Sequence, residues 1–157
     1  ACHNDDWANA KSQFFSNEVF EKTLLDSAVA IADAIHAAGC GYMLHCCGKM
    51  EAFLPYIVND IHADVLEIQT INDIRMILDR YGAKTSPIFH PDVYIMYDPA
   101  TTAEQAREYA RSIVDKYGAH TCEGSGALIH LVGNQPESYY AFADEIYNYS
   151  LEKYKGL

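Results

Sequence analysis

The chain has 157 residues, half of them hydrophobic, enough for one ordinary domain with its own core and too apolar for intrinsic disorder. Its 22 acidic and 11 basic residues give a formal charge of −11, which repels nucleic acid and anionic membrane surfaces and leaves no basic stripe to follow phosphates. The 5 cysteines, with Cys46 and Cys47 adjacent, suit a reducing compartment better than a disulfide framework. No apolar run approaches the roughly 18 residues a membrane span needs, so a soluble, cytoplasmic protein is expected.

In chain order, residues 1–4 read as the tail of a strand entering the Asp5-Asp6-Trp7 loop. Ser16 caps a long helix with Glu18 in its first turn, and Phe20, Leu24, Ala28, Ile31 and Ile35 recur on one face. Gly39 and Gly41 end it and lead into a short apolar strand that runs to His45-Cys46-Cys47-Gly48. A helix at about 51–61, a strand at 63–68, a helix capped by Asn72 with Ile74, Ile77, Leu78 and Tyr81 inward, and a strand at about 84–89 follow. Residues 90–101 form the longest irregular connection. Thr102 and Gln105 then make a capping box on a helix whose stripe is Ala106, Ala110, Ile113 and Tyr117. A strand before Cys122, a glycine-rich loop, and a last helix entered at Pro136 with Ala143, Tyr147, Ser150 and Tyr154 recurring complete the pattern.

Strand-then-helix units repeating at roughly 30 residues point to a parallel α/β fold, with residues 1–157 as a single domain. The unusual polar residues gather at predicted strand ends, where such folds carry their sites: His3, Asp5, Asp6, His45, Cys47, Glu67, Gln69, His90, Asp92, Cys122 and Glu123. Alternation along a strand turns His45 and Cys47 to one side and Cys46 to the other. Cys46 and Cys40 are therefore read as core thiols. His45 and Cys47 need a third ligand, and Cys122 supplies one; a His, two Cys and an open fourth position is a zinc pattern of catalytic sites. On spacing alone, a metal shell and three buried strand-end residues fit equally, and a bulge would let Cys46 take the place of Cys47. Glu123 adjoins Cys122 and is suited to orienting a ligand or handling a proton. His36 and His62 are assigned to helix ends or the surface.

Leu44-His45-Cys46-Cys47-Gly48, followed by Leu54-Pro55, Asp64-Val65-Leu66 and a late cysteine, resembles the uroporphyrinogen decarboxylase superfamily, and Asp5-Asp6-Trp7 and 32–36 fit the same pattern. The resemblance covers essentially the whole chain and corresponds to the C-terminal part of a TIM-type (β/α)8 barrel, about five βα units. The His-x-Cys-Gly motif with a distant Cys is similar to the zinc-dependent, cobalamin-linked methyltransferase branch. That likeness implies Zn2+ on His45, Cys47 and Cys122, and transfer of a methyl group from a corrinoid, carried on a corrinoid-binding protein, to a small thiol. On this reading Asp6 and Glu123 are catalytic, and Asp5, Glu67, Gln69 and His90 line the substrate pocket. The alternatives are a metal-independent decarboxylase of a tetrapyrrole, which needs a basic pocket that the helical Arg75, Arg80, Arg107 and Arg111 do not supply, and a non-catalytic partial-barrel binding domain. A complete barrel of this type takes roughly 250 residues, so the expectation is either a missing N-terminal segment or a homo-oligomer that completes the sheet.

Overall fold

A computed structural model describes residues 1–89, 95, 98–118, 128–129 and 137–155. Five strands, β1 (Cys2–Asn4), β2 (Met43–His45), β3 (Val65–Ile68), β4 (Ser86–Phe89) and β5 (Leu128–Ile129), lie side by side in sequence order, every neighbouring pair parallel. The helices are α1 (Asn17–Thr23), α2 (Leu25–Ala37), α3 (Leu54–Asn59), α4 (Ile74–Tyr81), α5 (Ala103–Tyr117) and α6 (Glu137–Lys153). The α/β class and the parallel sheet expected from the strand-helix alternation are observed. No helix among the described residues is long and apolar enough to cross a membrane.

Sequential order has a geometric consequence. Parallel crossovers are right-handed, so strands laid down one beside the next carry their connecting helices to the same side of the sheet. Burial follows that division. Leu44, Leu66 and Phe89 are sealed against the core, whereas Met43, Val65, Ser86 and Ile88, pointing to the opposite face, are only half-buried. Register lines up Met43, Val65 and Ser86 across three strands, and His45, Glu67 and Ile88 one row later. His45 and Glu67 thus sit at the C-terminal end of the less covered face.

Several elements differ from expectation for identifiable reasons. The single long helix is broken at Leu24, whose backbone (φ −121°) leaves the helical region. The Thr23 hydroxyl donates back to the Val19 carbonyl at 2.6 Å, a bond that bends helices at this point. The break resets the face of α2, so Phe20, Ala28 and Ala32 are buried while Ile31 is 40% exposed. The expected helix at 51–61 begins as a 3-10 turn (Glu51–Phe53) before α3, because the ring of Pro55 is incompatible with a full α-turn behind it. The N-cap of α4 is Asp73, whose carboxylate accepts the Met76 N–H at 3.0 Å; Asn72 is buried and bonded elsewhere. The Thr102–Gln105 capping box on α5 and its stripe are as predicted. On α6 the buried residues are Ser138, Ala141 and Phe142, with Phe142 against Tyr109 of α5, and Tyr147 is exposed.

Two packing features fix the part of the fold that matters most below. Trp7, Phe20 and Phe53 form a ring cluster, with Trp7 to Phe20 centroids 4.9 Å apart and Phe20 to Phe53 4.7 Å, which pins the segment after β1 onto α1 and the 3-10 turn. At the other end of β2, Asp64 accepts the Tyr42 N–H at 2.7 Å and pairs with His36 Nε2 at 2.9 Å. The Tyr42 amide and then His36 hold that carboxyl below the usual range.

Candidate metal centre

β2 delivers its last residue, His45, and the next two residues into a loop braced on every side. The Cys46 amide donates to the Glu67 carbonyl (3.1 Å), the Cys47 amide to Asp6 Oδ1 (2.9 Å), the Gly48 amide to Gln69 Oε1 (3.0 Å) and the Lys49 amide to the Asn9 carbonyl (2.8 Å). Buried Asn72 closes the turn, donating from Nδ2 to the Gly48 carbonyl (2.9 Å) and accepting the Met50 amide on Oδ1 (2.9 Å). Gly48 has φ +85°, and a Cβ there would lie 2.4 Å from the carbonyl carbon of Ala8. Only glycine allows that approach. The loop and the Asp6–Ala8 segment are therefore locked to one another.

The consequence is a tight group of unlike donors. His45 Nε2 stands 3.3 Å from Cys47 Sγ and 4.0 Å from Asp6 Oδ1, and the three ligand atoms all lie within 4.8 Å of one another. Bond lengths of about 2.0–2.3 Å in a tetrahedral shell put neighbouring ligand atoms about 3.5 Å apart; the His45–Cys47 pair stands at that spacing and Asp6 somewhat wider. Cys46 points away, fully buried, its sulfur accepting the Trp7 amide at 3.4 Å. Burial above all pushes its thiol up to about 12. The bulge that would exchange Cys46 for Cys47 is absent. Cys47 is partly exposed, and its thiol is also raised, by desolvation first and then by the charge of Asp6, its hydrogen bond to Asp6, and the charge of Glu67.

The other expected site residues divide. Asp6, read from sequence as catalytic, stands with a carboxylate oxygen within 4.8 Å of the ligand atoms of His45 and Cys47. Glu67, read as a substrate contact, is 6% exposed, and its Oε2 lies 3.2 Å from His45 Nδ1. Gln69 turns its amide oxygen onto the Gly48 N–H and serves the loop. Asp5 is exposed at the end of β1, where its amide donates to the His45 carbonyl at 3.1 Å; its side chain is outside the donor group. His90, Asp92, Cys122 and Glu123 lie outside the described residues. The fifth strand of the sheet among the described residues is Leu128–Ile129. Cys40, expected in the core, is exposed after Gly39 turns the chain outward at φ +73°. His36 and His62 lie at helix ends, as expected, with His36 tied to Asp64.

Sequence spacing did not reveal the His45–Glu67 contact or the bracing role of Asn72. Both depend on strand register, which pairs His45 with Glu67 directly. Three of the four arginines that a carboxylate-rich substrate would need are paired on helix surfaces: Arg75 with Asp79, Arg107 with Glu104, and Arg111 with Glu104 and Glu145. Comparison with protein-family profiles, curated proteins and solved structures found no match.

Proposed function

We propose that this chain is a zinc-dependent methyltransferase module, part of a (β/α)8 barrel of the uroporphyrinogen decarboxylase type, that moves a methyl group from a corrinoid on a partner protein to a small thiol. The observation that carries the reading is the convergence of His45 Nε2, Cys47 Sγ and Asp6 Oδ1 at strand C-termini, on the less covered face of a sequentially ordered parallel sheet. In a closed barrel that face is the interior, and the strand C-termini form its mouth.

Within this reading His45 and Cys47 hold the metal, Asp6 supplies an oxygen donor, and Cys122 is a further candidate ligand. Zinc, when bound, stabilises the deprotonated form of an acceptor thiol at neutral pH. The chain's own residues supply the rest. The braced turn at Gly48 fixes Cys47 against His45, so little reorganisation is needed on binding. Asp6, more than half exposed, is the group open to an incoming thiol and accepts its proton. The acidic surroundings of Asp5, Asp6 and Glu67 favour a cation and disfavour a polycarboxylate, which weighs against a tetrapyrrole acid.

The test is metal content of the purified chain under reducing conditions, wild type beside His45→Ala, Cys47→Ser, Asp6→Asn and Cys122→Ser. The expected result is about one zinc per chain, lost in the His45 and Cys47 variants. The other two variants identify the remaining ligand. A folded wild-type chain that takes up no zinc when supplied with it would sink the reading. Methyl transfer from methylcobalamin to a small thiol is then assayed on the zinc-loaded chain.

A further inference from the structure

We propose that the outward face of α6 is a self-association seam, through which two copies of this chain pack antiparallel about a two-fold axis near Ile146. This assignment stands apart from the metal reading above and concerns a helix surface rather than the sheet.

α6 has two unlike sides. Inward it buries Ser138, Ala141 and Phe142, and a row of polar contacts ties it to α5. Glu145 accepts from Arg111 Nε at 2.7 Å, and Asp115 receives both the Tyr149 hydroxyl at 3.0 Å and the Lys153 ammonium. Outward, Tyr140 is 63%, Tyr147 65% and Leu151 55% exposed. Positions 140, 147 and 151 recur at the seven-and-four spacing of paired helices, so they form one stripe. Large side chains aligned on one exposed line mark a partner surface, whereas scattered ones do not. Along the C-terminal half of the stripe runs a groove of about 610 Å3, lined by Ile146, Tyr147, Ser150, Leu151, Tyr154 and Lys155.

Charge and symmetry decide the occupant. A chain of net charge −11 repels its own copy, so self-association needs a face on which opposite charges meet. Glu137 and Lys155, both exposed, supply one: they lie 155 − 137 = 18 residues apart, about five turns, and so on one flank of the stripe. The helical path reaches that far, since the Tyr154 amide still donates to the Ser150 carbonyl at 3.0 Å. Antiparallel packing sets this flank against its own copy, so Glu137 of each chain meets Lys155 of the other, and Asp144 meets the Asn148 amide. Residue 140 then falls opposite 152, which seats the Tyr140 ring of one chain between Leu151 and Tyr154 in the groove of the other. Parallel packing would set Glu137 beside Glu137.

Sedimentation equilibrium of the purified chain reads the association, with reductant and chelator present so that neither exposed Cys2 and Cys40 nor a shared metal ion joins two copies. One helix seam is smaller than a standard interface of roughly 1,200–2,000 Å2, so the dimer is expected to form over about 10–500 µM. Over that range the weight-average mass should rise toward two chains in the wild type and stay at one in Leu151→Glu, with far-UV circular dichroism unchanged. Glu137→Lys alone and Lys155→Glu alone are each expected to weaken association about tenfold, and the two together to restore it. A wild type that stays monomeric at about 500 µM overturns the proposal and leaves the stripe to a different protein. A dimer that persists in Leu151→Glu, or that the charge exchange fails to restore, overturns the antiparallel seam. The charge exchange decides alone if Leu151→Glu fails to fold.

Discussion

Cys46 and Cys47 are adjacent, yet the strand end gives them opposite chemistry. Cys46 is sealed in the core with a thiol raised to about 12, while Cys47 opens toward His45 and Asp6. Alkylation of the native, metal-free chain at about pH 8 is expected to label exposed Cys2 and Cys40 readily and Cys47 more slowly, and to spare Cys46; peptide mass mapping checks the order. Supplying zinc should protect Cys47 alone among these. Cys46→Ser should keep metal binding while losing about 1–3 kcal/mol in urea unfolding, because a hydroxyl replaces a buried thiol. Loss of zinc in that variant with its fold intact would reverse the assignment. This opposition was legible in sequence, because period-two alternation needs no tertiary information. The exposure of Cys40 and the burial of Glu67 were not: the first depends on where the chain turns at Gly39, the second on which strand lies alongside β2.

At the level of elements, the turn at Gly48 is the joint between β2 and the segment after β1. Gly48→Ala imposes both a left-handed backbone and a clash with the Ala8 carbonyl, whereas Gly39→Ala meets the same backbone penalty with nothing within 4 Å. Equilibrium urea unfolding is expected to show a loss of about 1 kcal/mol for Gly39→Ala and appreciably more for Gly48→Ala, with metal binding lost only in the latter. Equal costs would mean that the approach of Ala8 is not what glycine serves. Helices bounded by strong local signals, such as α5 with its capping box, were readable in advance. The break at Leu24 and the 3-10 turn before α3 were less so, since hydrophobic periodicity survives a one-residue interruption and does not register how Thr23 or Pro55 bends the backbone.

At the scale of the whole molecule, two buried groups among the described residues are expected to weaken the fold at alkaline pH. Tyr42 is raised to about 12, first by burial and then by the charges of Asp5 and Cys2, and Cys46 likewise to about 12. The unfolded chain loses these protons near the ordinary thiol and phenol values of about 8.5 and 10, while the folded chain retains them. Their stabilising contribution is therefore complete below about pH 8.5 and is lost as pH rises toward 12. Urea midpoints measured across that range should decline, and Tyr42→Phe, which removes the phenol and its 2.8 Å bond to His3 Nδ1, should start lower and decline less steeply. A parallel decline in both would assign the effect elsewhere. The broad architecture followed from strand-helix alternation, and the side-by-side strand order adds what periodicity leaves out. Because each strand joins its immediate predecessor, Asp6, His45, Cys47, Glu67, Gln69 and Asn72 are all in place once the third strand and its turn have docked. Pairing each strand with its predecessor closes the shortest loop this topology offers, so the chain can mature by accretion, one crossover at a time. In that order of growth the ligand group would be complete before α5 and α6 are added.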